Sequence, residues 1–390
     1  MTGALATVRR MLEHTGRHPV VSVYFDLDPA EFATAPARST ELRSLMDEAE
    51  RAGRDYAPMN HEDRTVLRAD LNRLEEYLQS DELPVSGAAT LAVFCSGRDD
   101  LFETVELSDP VSPRVVVAAT PYVEPLVTGP RCERWCVVLV SRRTALILSG
   151  ELGHGPAQDQ VREQERVTDD VHGRSHSGGW SQANYERSYD DEAEHHLRRV
   201  AHELYQSWQR EPFARLVLGG PTPDVDRFAE QLHNDLRPRL SPARLNLDAE
   251  VATIAQVRDA LRGLRRQERA AEQERVLTEL GERVERDGAA ATGLADVLEA
   301  LNEGRVETLV LALSFAASGA RCPSCGLLYA DSSGACPVDG SELSPVADVR
   351  EAAIGAAVLQ DAGTIVIGEG SDPPPPVLRR PGGIGALLRF

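Results

Sequence analysis

Residues 135–150 read "WCVVLVSRRTALILSG", two apolar runs rich in strand-forming residues, broken by Ser141-Arg142-Arg143. What continues this pair decides the fold. Roughly 30 residues without clear periodicity follow it, among them "HGRSHSGGWSQANY" at 172–185. Tyr185, Tyr189, Ala193, Leu197, Val200, Leu204 and Trp208 then recur at helical spacing on one face. "ARLVLGG" (214–220) reads as a buried strand whose Gly-Gly leads into a helix around Phe228, Leu232 and Leu236. The order β-β-loop-α-β-α predicts an α/β domain. A loop of that length inside a compact domain is either disordered or functional.

Upstream, a helix-like stretch precedes "PVVSVYFDLDP" (19–29), a strand closed by Asp-Pro. Two polar helices follow, the second placing Val66, Leu67, Leu71, Leu74 and Leu78 on one face. "AATLAVFCS" (88–96) and "PRVVVAAT" (113–120) complete a first α/β unit that ends near residue 128. Downstream, a charged helix from about Val257 to Arg286 reads as a solvated rod packing one Leu/Val stripe. Beyond it come helix "LADVLEALNEG" (294–304), strand "RVETLVLAL" (305–313), a cysteine-bearing insert, helix "ADVREAAIGAAVLQDAG" (347–363) and strand "TIVIGEG" (364–370). "SDPPPP" (371–376) is a stiff polyproline turn, and Leu387, Leu388 and Phe390 read as a final strand. The fold class is therefore α/β. Three domains are expected, each a mixed sheet with flanking helices, at 1–128, 129–290 and 291–390.

The chain of 390 residues carries a net charge of −20, and all 42 of its basic residues are arginine. That balance argues against coating nucleic acid by general electrostatics, since phosphate affinity comes from cations that release counterions. It leaves a local basic contact open. No apolar run reaches the roughly 18–20 residues of a membrane helix. The opening "MTGALATVRRMLEHTGRH" carries charges where a secretion signal needs an apolar stretch. A cytoplasmic protein with no membrane contact is expected.

Six cysteines do not form a disulfide-like framework. Cys132 and Cys136 read as packing at a strand start. The other group lies in "CPSCGLLYADSSGACPVDG" (322–340), where Cys322, Cys325 and Cys336 have the spacing of metal knuckles and Asp339 holds the fourth place. A structural zinc ion on these four residues is one reading; a knuckle that has lost its metal is the other. No organic cofactor is expected.

In the long loop, Gly178 and Gly179 admit backbone angles closed to other residues. Gln182 carries a neutral amide that can position a water or stabilise a developing oxyanion. Ser181 and Trp180 could support the loop or pack against a base or sugar. Arg174, Arg187 and His176 are candidate RNA contacts, whereas Arg174 and Arg187 could equally pair with Asp190, Asp191 and Glu192. His172 and His176, four apart in a loop, are a weak metal pair. A glycine-containing surface loop with Trp180 capping an apolar edge is the plain alternative.

The order of these motifs resembles the archaeal and eukaryotic class of peptide-chain release factors, their relative Pelota, the bacterial and archaeal branch of that superfamily, and the Vms1-like peptidyl-tRNA hydrolases. "ALNEGRVETLVLAL" (300–313) and "GGIGALLRF" (382–390) resemble the opening and closing of the release factors' third domain. In those factors a Gly-Gly-Gln loop enters the peptidyl-transferase centre, where its Gln helps water attack the peptidyl-tRNA ester. The matching positions here are Gly178, Gly179, Ser181 and Gln182, with Trp180 interposed. If Gly-Gly sets the register, Gln182 is displaced by two residues; if Ser-Gln sets it, Trp180 replaces a glycine. The stop-codon motif Asn-Ile-Lys-Ser is excluded in a chain without lysine. The resemblance thus implies a ribosome-binding factor that hydrolyses peptidyl-tRNA on stalled ribosomes without reading a codon. Ribosomal RNA, peptidyl-tRNA and a translational GTPase are its implied partners. Two alternatives stay open: a non-catalytic hibernation factor in the A site, and a zinc-knuckle scaffold without a ribosomal role.

Overall fold

The structure, a computed structural model, describes residues 3–14, 18–27, 35–56, 61–80, 90–107, 111–128, 134–151, 161–168, 182–286, 288–331, 333–368, 378 and 382–390. It divides into two compact units, Met1–Pro130 with Ala270–Phe390, and Arg131–Arg269. No described helix is long and apolar enough to cross a membrane.

The first unit begins with α1 (Gly3–His14), β1 (Val20–Asp26), α2 (Ala35–Asp55) and α3 (His61–Gln79). β2 (Thr90–Ser96), β3 (Leu101–Leu107), β4 (Arg114–Ala118) and the short α4 (Glu124–Thr128) follow. The strands form an antiparallel sheet in the order β3-β2-β1-β4. The continuous apolar run of β1 has a direct cause: both of its faces are covered. Val21, Val23 and Phe25 meet Leu42, Leu45, Leu67, Leu71, Leu74 and Leu78 of α2 and α3. Val20 and Tyr24 face the other way, into a core shared with Val8 and Met11 of α1.

That second core is completed from the far end of the chain. β10 (Ala290–Thr292), α8 (Leu294–Asn302), β11 (Val306–Ala312), α9 (Val349–Leu359), β15 (Gly363–Ile367) and β16 (Ile384–Leu388) build a sheet in the order β10-β16-β11-β15. Its apolar residues Leu298, Leu301, Leu309, Ile354 and Leu387 join Val20, Tyr24 and Phe94 in one cluster. An insert of β12 (Gly319–Arg321), β13 (Leu328–Tyr329) and β14 (Ser344–Val346) carries the cysteines.

Where the first and last segments meet, the start of α9 supplies a buried guanidinium. Arg350 Nε and Nη2 donate to both carboxylate oxygens of Glu124 at 2.6–2.9 Å, and Nη1 donates to the carbonyls of Ala312 and Phe315 at 2.8 and 3.2 Å. Next to it, the Val123 N–H donates to the Glu351 carboxyl. Nearby, the Tyr24 hydroxyl donates to the Tyr122 carbonyl at 2.6 Å.

The second unit holds β5 (Arg134–Val140), β6 (Thr144–Glu151), β7 (Arg162–Thr168), α5 (Gln182–Arg210), β8 (Arg215–Gly219), α6 (Thr222–Gln231) and β9 (Leu240–Leu245). These strands form a mixed sheet, β7-β6-β5-β8-β9, in which β5, β8 and β9 run parallel, β6 runs antiparallel to β5, and β7 antiparallel to β6. α7 (Ile254–Glu285) begins in this unit, with Val257, Leu261 and Leu264 buried on its sheet. Val276 and Leu280 belong to the core of the other unit, so the charged helix does bury one Leu/Val stripe.

The structure corrects several expectations. β3, β9 and α4 were not anticipated, and β7 occupies residues assigned to the aperiodic loop. "REQERVT" is an edge strand, where charged side chains are tolerated because one side faces no partner strand. The last strand stops at Leu388, and Phe390 is 75% exposed. Val66 is only half-buried on its helix face. "SDPPPP" and Cys132 lie outside the described residues. The division at 128/129 and 290/291 is carried forward as a proposal about which segments act as modules.

Two predictions follow from the Arg350 region. Truncating one partner leaves a buried charge unpaired, so Arg350→Met should cost about 3–5 kcal/mol in urea unfolding, and Arg350→Met with Glu124→Leu should recover most of that. Burial pushes the Glu351 carboxyl up to about 8, only partly opposed by the Val123 N–H. Because the folded state then holds a proton that the unfolded chain releases, stability falls as pH rises from about 4.5 to about 8 and is flat above. Glu351→Gln should flatten that slope in pH-dependent melting.

Candidate functional site

Two regions drew attention in the sequence, and the structure treats them differently. The glycine loop joins edge strand β7, which ends at Thr168, to the N-terminus of α5 at Gln182. Gln182 is the first helical residue and Arg187 lies in the second turn. Gly178, Gly179, Trp180, Ser181, His172, Arg174 and His176 lie outside the described residues.

What anchors Gln182 is the helix that it opens. Ala193, Leu197, Val200, Ala201 and Leu204 of α5 are buried, most of them against β5, β6 and β8. That stripe matches the expected helical face, with Trp208 half-buried at its end. No acidic residue occupies the first turn of α5. No carboxylate of that turn offsets the partial positive charge of the helix N-terminus, which suits an oxygen ligand.

The charge of the chain is unevenly placed. Residues 131–269 contain 21 of the 42 arginines against 22 acidic residues, so the unit with the loop is close to neutral. The acidic excess belongs almost wholly to the other unit.

In the cysteine insert, two short turns repeat one another. Cys322-Pro-Ser-Cys325-Gly326 and Cys336-Pro-Val-Asp339-Gly340 each close with a glycine N–H donating to the carbonyl of the first cysteine, both at 2.9 Å. Each first cysteine donates its own N–H one residue past the glycine, to Leu327 at 2.9 Å and Ser341 at 2.8 Å. Gly326 and Gly340 have φ of 78° and 74°, a left-handed conformation that requires glycine here.

The turns face each other and bring Cys322, Cys325, Cys336 and Asp339 donor atoms within 4.8 Å of one another. Cys325 and Cys336 Sγ are 3.6 Å apart, and Cys322 Sγ lies 3.3 and 3.5 Å from the Asp339 oxygens. Zinc–ligand bond lengths in a tetrahedron give about 3.8 Å between two sulfurs and about 3.5 Å between sulfur and oxygen. The spacing therefore fits a metal-binding Cys/Asp cluster of zinc size. Hydrogen bonds from the Ser341 backbone and side chain, and from Cys322, hold the Asp339 carboxyl well below the ordinary carboxylate range. It is thus ionised and ready to act as a ligand.

Two supporting residues carried no sequence signal: the Tyr329 hydroxyl lies 3.3 Å from Cys336 Sγ, and Asn302 of α8 pairs with both backbone groups of Leu328 at 2.7 and 2.9 Å. Cys95 and Cys136 are buried thiols, Cys95 pushed up to about 12 by burial and then by Asp70. They are packing residues.

The chain is similar to known proteins of translation. Residues 121–269 match the family model described as bacterial archaeo-eukaryotic release factor family 10. The chain is 27% identical over 249 residues to peptide chain release factor subunit 1 of Thermococcus sibiricus, covering 58% of this chain and 60% of that one. It therefore spans about three fifths of the length of the curated relatives it matches. Among solved structures, similarity extends to an archaeal translation termination factor, aRF1, at 17% identity and a TM-score of 0.25, covering 99% and 97% of the two chains. It also extends to a ribosome-bound archaeal Pelota with ABCE1, at 15% identity and a TM-score of 0.38, covering 99% and 94%.

Proposed function

We propose that this chain, a member of the release-factor/Pelota-like superfamily, acts at the ribosome and hydrolyses peptidyl-tRNA without reading a codon, as a rescue factor for stalled ribosomes. One observation carries the reading. The Gly178-Gly179-Trp180-Ser181-Gln182 stretch lies inside the matched region and leads directly into a helix whose later turns are buried on the sheet. In this reading the Gln182 amide orients the attacking water, the glycines shape the loop, and Ser181 supports it. Trp180, Arg174, Arg187 and His176 contact RNA. The near-neutral balance of residues 131–269 lets this part approach RNA with little of the repulsion that the rest of the chain would impose. Delivery by a translational GTPase belongs to the same reading.

A specific feature favours a second reading. Trp180 stands where the loop motif has no aromatic residue, and a bulky ring suits a plug. The factor would then occupy the same centre without chemistry, as in hibernation.

For the cysteine insert we propose a structural zinc ion on Cys322, Cys325, Cys336 and Asp339. The donor set supports it, because three thiols and a carboxylate this close repel once ionised unless a cation holds them. The ion would fix the two turns and takes no part in hydrolysis.

Purified ribosomes carrying labelled peptidyl-tRNA in the P site test the activity. Wild type should release peptide, and Gln182→Ala should bind equally while losing release by roughly 10²–10³-fold, the usual effect of removing one such polar group. Binding without release by either form would establish the plug instead. For the insert, native mass spectrometry should find one zinc per chain. Chelation or Cys336→Ser should lower its melting temperature without altering the slope of release against ribosome concentration per folded molecule.

A further inference from the structure

On the second unit, well away in sequence from the loop, four flat groups lie in a row. The Tyr205 and His233 rings stack with centroids 3.9 Å apart and planes at 25°. Tyr205 and Trp208 stack at 5.9 Å and 27°. The Arg239 guanidinium lies 4.8 Å from the Trp208 ring centroid. Tyr205 and Trp208 come from α5 and pack partly on its core, whereas His233 and Arg239 come from the segment between α6 and β9.

The row is held in place by hydrogen bonds at its margins. The Asp235 N–H donates to His233 Nδ1 at 3.3 Å. The Asp235 carboxylate accepts from the Tyr205 hydroxyl at 3.3 Å and lies 3.4 Å from His233 Nδ1. Arg239 Nη1 donates to the Asp235 carbonyl at 2.7 Å. Arg237, in the turn between them, donates to the Leu232 and Glu230 carbonyls at 3.3 and 2.9 Å. These bonds occupy two of the five N–H donors on Arg237 and one on Arg239.

Such order is unusual for a surface turn, because aligning two rings and a guanidinium restricts side chains that would otherwise sample many rotamers. Packing alone accounts for the inner end, where Trp208 seals the core. It does not account for His233, whose side chain is 47% exposed and adds little to the core. An imidazole stacked on one face offers its other face to a further planar group. Single-stranded RNA is recognised in this way, its unstacked bases laid on aromatic or guanidinium planes and its phosphates taken by arginine.

We propose that the Arg239–Trp208–Tyr205–His233 row is a platform on which one unpaired RNA base stacks against His233, with Arg237 contacting the adjoining phosphate. The inference rests on the ribosome-binding half of the proposed function and not on hydrolysis. It commits to nucleic acid because a ring stacked on one face suits a base, and because the unit's 21 arginines nearly balance its 22 acidic residues in an otherwise acidic chain. An acidic protein partner would be attracted by Arg237 but has no use for a stacked plane.

The test uses the full chain, a fluorescein-labelled octaribonucleotide, an abasic ribose-phosphate octamer of the same charge, and ribosome co-sedimentation. The base-bearing oligomer should bind about 5–150-fold tighter than the abasic one, the range for one stacked base. His233→Ala should remove that difference, His233→Phe should retain it, and Arg237→Gln should weaken both oligomers alike. His233→Ala should also weaken ribosome binding while leaving the folded melting temperature within the scatter of wild type. Equal binding of the two oligomers by wild type, or no effect of His233→Ala on either, overturns the platform. Loss of ribosome binding in His233→Ala with no base preference in the oligomers also overturns it and assigns the row to a protein contact. Base-dependent oligomer binding by a chain that ignores ribosomes would uphold the platform and remove the ribosomal reading instead.

Discussion

A guanidinium cannot be neutralised, so burying Arg350 obliges the fold to surround it with acceptors. It does so with a carboxylate from α4 and two carbonyls from the end of β11 and the turn after it. The bonds to Glu124 span 226 residues of sequence. Satisfying this one side chain therefore requires that the first and last segments of the chain arrive together. Around it the apolar cluster of Val8, Met11, Tyr24, Leu298 and Ile354 closes. The apolar contacts supply the non-directional driving force. The ion pair supplies geometry, since a bidentate fork accepts its partner in one arrangement. The neighbouring Glu351 adds a pH dependence to the same junction, because its second oxygen is buried without a partner.

The second unit is organised differently. Its sheet is anchored by apolar strands, and its polar interest lies at the ends of α5. One end opens with Gln182; the other carries the aromatic row at Tyr205 and Trp208. One helix carries both ends, and its middle turns are buried on the sheet. The acidic excess that dominates the composition belongs almost wholly to the residues of the other unit. A net charge of −20 thus says less about this unit than it first suggests.

What the sequence made legible follows from the range of the interactions involved. The stripe of α5 and the doubly covered β1 could be read because helical period and apolar runs are local signals. The knuckle could be read because its turns are covalent spacings, and "CPSCG" and "CPVDG" nearly repeat. β7 escaped because an edge strand bears charges where an inner strand cannot, and its pattern looks like loop. The partnership of Arg350 and Glu124 was invisible, since each reads as an ordinary helix-surface charge. Trp208 was read as part of the α5 stripe and His233 carried no signal, because the row they form with Tyr205 is set by the turn after α6. Nothing local could reveal that β1 and β11 line one core, because their contacts join residues far apart in the chain.

The position of Gln182 bears on the choice between the two loop registers. Two residues of extended chain reach about 7 Å, far more than the roughly 1 Å of misplacement that can cost a catalytic group 10²-fold. Were Gln182 an interior loop residue, the inserted Trp180 could therefore carry it out of range. It is instead the first residue of α5, so its backbone is placed by the helix. The constraint works from the helix outward. In the proposed reading, the Ser-Gln register is the one in which the glutamine keeps its place at the start of the helix.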